Sequence, residues 1–150
     1  MYKRQGNIEL VVDWSEGAVQ YYKTNSTSNL LAEKYRFKEG ITYTELTSSV
    51  NTFRYLPPVC IFDKKGPSIV SVKKLWYCLG IFGTKIAPLY FAILNPTLST
   101  QVRDVKNLPI IVNGEIEPKI DEIVKENVEI CKQDWNDFET SWGFEKHPLI

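Results

Sequence analysis

The stretch 75–94 carries one charge, Lys85, in twenty residues. A segment that apolar has to leave water, either by entering a bilayer or by forming the centre of a core. Gly80, Gly83-Thr84-Lys85 and Pro88 interrupt it in the middle, where a charge inside a bilayer is costly. The interruption predicts two short buried helices, 73–82 and 84–94, and no membrane span. Thr84 is the expected N-cap of the second. Asn95-Pro96 ends it, because a residue before proline avoids the helical region.

The flanks differ from this centre. Residues 8–13, 18–22, 41–46, 53–55, 59–62 and 68–72 are short runs rich in β-branched and aromatic residues. They are separated by turn-forming segments and read as strands. Residues 30–37 read equally as a short helix or a strand. Residues 102–108 read as a loop or short strand, and 110–112 as an edge strand. The end is plainer. Ile120, Ile123, Val124, Val128, Cys131, Trp135, Phe138 and Trp142 recur at spacings of three and four, the stripe of an amphipathic helix over 118–142. The expected class is α+β: an irregular multi-stranded β body with two buried helices and a long C-terminal amphipathic helix. Residues 1–112 form the body, with helices near 73–94. Residues 113–150 form the helix and tail packed on it, one domain overall at 150 residues.

Charge enters the argument through its distribution. Eighteen Lys and Arg against eighteen Asp and Glu sum to zero. Residues 1–110 hold 14 basic and 8 acidic side chains, a net of +6. Residues 111–150 hold 4 and 10, a net of −6. A basic body on an acidic tail hints at nucleic-acid or membrane contact.

Several chemistries lack their residues. Cys60, Cys78 and Cys131 are odd in number and far apart, which argues for a reducing compartment rather than a disulfide framework. His147 is the single histidine, so neither a structural zinc site nor a multi-histidine catalytic site is expected, and Ser-His-Asp or Cys-His catalysis would depend on this one residue near the end of the chain. Met1-Tyr2-Lys3-Arg4 is basic but leads into no apolar h-region. An adenine-amino methyltransferase site needs an Asn/Asp/Ser-Pro-Pro-aromatic motif. Asn95-Pro96-Thr97-Leu98 lacks the second proline and the ring. Asp63 and Lys65 are a fragment of a metal-nuclease constellation. No catalytic, cofactor-binding or metal-binding set is expected.

Polar and basic loop chemistry remains. Lys38, Thr42, Tyr43 and Thr44 cluster on one turn and strand, with Asn51 and Arg54 after them. Lys64, Lys65 and Ser68 sit on a second turn, and Thr97, Ser99, Gln101 and Arg103 on a third. Such side chains neutralise phosphates and read base edges. They are the expected DNA-binding residues.

Four landmarks then carry a resemblance. Phe37-Lys38-Glu39-Gly40-Ile41-Thr42-Tyr43 is the first. Cys60-Ile61-Phe62-Asp63-Lys64-Lys65-Gly66-Pro67-Ser68-Ile69 is the second. Leu94-Asn95-Pro96-Thr97-Leu98-Ser99-Thr100-Gln101-Val102-Arg103-Asp104-Val105 through Leu108-Pro109 is the third. Asp134-Trp135-Asn136-Asp137-Phe138-Glu139-Thr140-Ser141-Trp142 to His147-Pro148-Leu149 is the fourth. In order and across nearly the whole chain, they resemble the C-terminal region of the PglX-type adenine-specific DNA methyltransferases of bacterial BREX phage-defence systems. The loop after Phe62 departs from the family in carrying Lys64-Lys65.

The resemblance implies a target-recognition domain similar to the TaqI-like specificity domain. It implies a chain that is one piece of a longer restriction-modification type enzyme, whose catalytic and methyl-donor motifs lie upstream. The implied function is DNA binding, non-catalytic by itself. Double-stranded DNA and the parent's catalytic methyltransferase domain are the partners. S-adenosylmethionine is the cofactor of the full-length enzyme, with none held here, and the cytoplasm is the compartment. The alternative is a protein-interaction module docking on a catalytic subunit through the helix 118–142.

Overall fold

A computed structural model describes residues 11–48, 50–63 and 66–149. The class is α+β, as expected. The order of elements is α1 (Glu16–Thr24), a 3₁₀ turn (Glu33–Tyr35), β1 (Gly40–Tyr43), β2 (Phe53–Leu56), β3 (Ser68–Val70), α2 (Leu75–Phe82), α3 (Ile86–Leu94), α4 (Val102–Lys106) and α5 (Glu117–Asn136).

The sheet has three antiparallel strands in the order β2-β1-β3. Tyr43 stands opposite Phe53, and Ile41 opposite both Tyr55 and Ile69. Because side chains alternate along a strand, these residues share the inner face. Thr42, Arg54 and Ser68 pair in the same way on the outer face. Gly40 is required by the β1–β3 approach: a Cβ there would lie 2.3 Å from the Ile69 carbonyl oxygen.

The 75–94 segment forms the core against this inner face. Phe53 stacks on Phe82 at 4.4 Å between ring centroids and on Phe91 at 5.6 Å. Tyr55 stacks on Trp76 at 4.9 Å, and Lys125 of α5 lies over the same indole. Ile41, Leu75, Leu79, Val105, Leu108, Val124 and Val128 complete the cluster. α5 lies close along α2. A Cβ at Gly80 would meet Val124 Cγ2 at 2.9 Å and Ile120 Cγ2 at 3.2 Å. Lys74 and Glu117 are ion-paired across the start of the two helices.

The break between α2 and α3 turns the chain by 77°, and no single described helix is long and apolar enough to cross a membrane. Pro88 sits in the first turn of α3, where its missing N–H is not needed. Asn95 ends the helix in an extended conformation, φ −151° and ψ 95°, as a residue before proline should.

Several sequence expectations are corrected. Residues 18–22 are helix, not strand. Ser15 caps α1 by accepting from the Ala18 N–H at 3.4 Å, and Glu16 and Lys23 sit at the dipole ends they favour. Of the strand expected at 8–13, residues 8–10 lie outside the described residues, and 11–13 are irregular. Residues 59–62 and 110–112 are irregular as well. Val59, Ile110, Ile111 and Val112 are exposed and pair with no strand among the described residues. Residues 30–37 hold only the 3₁₀ turn.

Residues 102–106 are helical because the Asp104 carboxylate accepts from the Gln101 N–H at 2.8 Å, an N-terminal cap. Thr84 caps nothing. Its hydroxyl donates back to the Ile81 carbonyl, and α3 begins without a side-chain cap. α3 is only half buried, hiding Ala87 and Phe91 while exposing Ile86, Leu89, Tyr90, Ile93 and Leu94. α5 ends at Asn136, which leaves Phe138 and Trp142 exposed beyond it.

Candidate nucleic-acid interface

Pairing gathers part of the expected site. On the outer face, Arg54 Nη2 donates to Thr44 Oγ1 at 3.1 Å. Thr42 Oγ1 and Ser68 Oγ both donate to the Gly66 carbonyl at 3.3 Å. Burial pushes the Arg54 guanidinium down from its ordinary value, although arginine keeps its charge at neutral pH. Asp63 Oδ1 accepts from the Gly66 N–H at 3.0 Å and closes the turn after Phe62. Lys64 and Lys65 on that turn lie outside the described residues.

A second contact brings in the loop after α3. Leu46 and Ser99 form an isolated antiparallel bridge. Thr100 N–H donates to the Glu45 carbonyl at 2.8 Å, and Thr47 N–H to the Leu98 carbonyl at 3.1 Å. The 97–101 loop is therefore fastened to the chain leaving β1, the same end that carries Thr44. Asn95 shapes this loop with its whole amide. Its Nδ2 donates to Asp104 Oδ2 at 2.7 Å and to the Ser99 carbonyl at 2.8 Å, and its Oδ1 accepts from the Thr97 hydroxyl at 2.7 Å. An amide so committed has no capacity left to hold a substrate amino group.

Gln101 is exposed at the start of α4, and the Arg103 side chain is 75% exposed beside Asp104. Lys106, which sequence reasoning missed, follows Arg103 by three residues on α4 and is exposed. The i, i+3 spacing of two cations was the available signal.

Three expected residues stand apart. Tyr43 is in the core at 1% exposure and has no surface to offer a ligand. Burial, with Glu45 and Asp104 adding to it, pushes its phenol up to about 12. Lys38 is exposed but lies before β1, at the end opposite Thr44. Asn51 is half-buried, and its Nδ2 and Oδ1 are enclosed without a hydrogen-bond partner among the described residues.

Among the described residues, no three His, Cys, Asp or Glu side chains gather as a metal site. The three cysteines are unpaired, and burial pushes each thiol up, away from the reactive thiolate.

The chain resembles parts of much longer proteins. It is 30% identical over 149 residues to the adenine-specific methyltransferase BrxX of Escherichia coli O9:H4 (strain HS). It is 28% identical over 156 residues to the adenine-specific methyltransferase PglX of Lacticaseibacillus casei (strain Zhang). These alignments cover 97% and 99% of the chain but only 12% and 13% of the relatives. No family model matches the chain.

Proposed function

We propose that this chain, a relative of the PglX-type adenine-specific methyltransferases along nearly its whole length, is a DNA-contacting target-recognition segment of such an enzyme. It would hold double-stranded DNA while a catalytic domain elsewhere in the longer protein, supplied with S-adenosylmethionine, methylates an adenine in cytoplasmic phage defence. The observation that carries this reading is the fastening of the 97–101 loop to the β1 end through the Leu46–Ser99 bridge. It joins two of the polar loops into one surface. Arg54, Arg103 and Lys106 would neutralise phosphates, with Thr44, Ser99 and Gln101 nearer the bases. The net +6 of residues 1–110 supports the same partner.

Titration of a labelled duplex at rising salt tests the idea. Affinity should fall linearly on a log–log plot, with a slope set by the phosphates neutralised. Absence of binding at low salt overturns it.

A protein-interaction reading survives in altered form. The middle of the α5 stripe, Ile120, Val124 and Val128, is committed to the core, while Ile123, Phe138 and Trp142 of the expected docking stripe stay exposed. The apolar face of α3, where Ile93 is 79% exposed, is a further candidate for contact with the rest of a longer enzyme. Protection of α3 amides from hydrogen exchange in the full-length enzyme, relative to this chain alone, would support it. Equal exchange would remove it.

A further inference from the structure

α1 contributes no buried residue to the fold, yet its surroundings are carefully braced. Trp14 meets Phe37 edge-on at 5.2 Å, and the Arg36 guanidinium lies over the indole at 5.7 Å. Arg36 Nε donates to the Leu31 carbonyl at 2.6 Å, and Tyr22 donates its hydroxyl to the Asp13 carbonyl at 3.1 Å. Phe37 takes φ 51°, a left-handed backbone that is unfavourable for an aromatic residue. These contacts hold one wall of a cleft of about 560 Å³. Thr42 and Leu56 of the sheet, with Phe62 and Asp63, also line it. Trp14 and Tyr22 provide aromatic surface, and Asn29, Thr42 and Asp63 provide polar groups. The Asn29 amide makes no hydrogen bond among the described residues.

From this we infer that the cleft binds a single unpaired nucleobase, stacked against Trp14 with its polar edge toward Asn29 and Asp63. The inference rests on the DNA-contacting reading and names a second ligand element within it. Trp14 and Tyr22 are only half-buried by these contacts, and both also line the cleft. A flat π-faced ligand with hydrogen-bonding edges matches an aromatic wall beside amide, hydroxyl and carboxylate groups. The size is within the range of small-ligand sites.

The test compares a fully paired duplex with the same duplex carrying one bulged base, by fluorescence anisotropy. A second measurement follows the indole N–H resonances as deoxyadenosine or thymidine is added. The bulged duplex should bind roughly tenfold tighter, in keeping with one base–aromatic stack. Trp14→Leu and Asn29→Ala should abolish that preference while leaving paired-duplex affinity within about twofold. The Trp14 indole resonance, identified by its loss in Trp14→Leu, should shift with free nucleoside. Unchanged circular dichroism and Tm would show that the variants fold.

Equal affinity for both duplexes, or a preference that survives both substitutions, overturns the inference. If neither duplex binds but the nucleoside moves the Trp14 resonance, the base site stands and the duplex reading fails. If the paired duplex binds and the nucleoside moves nothing, the base site is overturned and the duplex reading stands.

Discussion

The amide of Asn95 donates to the carboxylate of Asp104 at 2.7 Å, joining the residue that ends α3 to the residue that starts α4. Asp104 is 3% exposed, and its Oδ2 also accepts from the Gln101 N–H. Burial alone would push this carboxyl up. The bonds from Asn95 and Gln101, with Arg103 beside them, outweigh it and hold the group below its ordinary value. The loop that offers Thr97, Ser99 and Gln101 owes its shape to this pair.

Replacing Asp104 by Ala leaves the Asn95 amide and the Gln101 N–H without their acceptor, at a cost of about 1–3 kcal/mol. The pH dependence has a definite sign. The unfolded carboxyl protonates near pH ~3.9 and the folded one lower. Its stabilisation is complete above that unfolded value and is lost as pH falls through the folded one. Urea unfolding of the parent and Asp104→Ala should therefore differ most at neutral pH and converge in acid.

Tyr43 gives the opposite pH signature. Its phenol is pushed up to about 12, and the unfolded value is near 10. The unfolded chain gives up this proton first, so stability falls as pH rises from about 10 to about 12. Ultraviolet titration at the tyrosinate band should show a late phenol that is lost in Tyr43→Phe, and the variant should resist alkaline unfolding better.

Gly80 sets the distance between α2 and α5. Gly80→Val drives methyl groups into Val124 and Ile120, and overpacking of this kind costs about 1–3 kcal/mol. Adding Val124→Ala should recover part of the loss, a positive coupling readable from a double-mutant cycle in denaturant.

The cations of the candidate interface should separate by burial. Arg103→Ala should leave Tm nearly unchanged while lowering the salt slope of duplex binding by about one. Arg54→Ala should lower both, because Arg54 is half-buried and bonded to Thr44. Lys38→Ala, at the far end of β1, should change neither by much.

Particular elements show how far the sequence could be read. The apolar segment 75–94 announced its burial through composition, and Pro96 announced the end of α3. Residues 18–22 misled because β-branched and aromatic content outweighed the Ser15 cap. Residues 59–62 misled because an apolar run has no strand without a neighbour to pair with. Of the residues expected to contact DNA, strand pairing brings Thr42, Thr44, Arg54 and Ser68 together on the outer face of the sheet, although the sequence had put Ser68 on a separate turn. Tyr43, between two of them, alternates onto the opposite face.

The sequence alone determined the α+β class, the charge division and the relation to the PglX-type methyltransferases. Each of these is carried by residue identity or by spacings of a few residues. Tertiary structure decided what became of the apolar faces: α5 spent the middle of its stripe on α2, while α3 kept half of its own exposed. It also decided that the 97–101 loop lies against the end of β1, and that Trp14 and Asp63 line one cleft. Those outcomes depend on contacts between residues far apart in the chain, made by a bridge, a glycine approach and a stacked ring, and no local period records them.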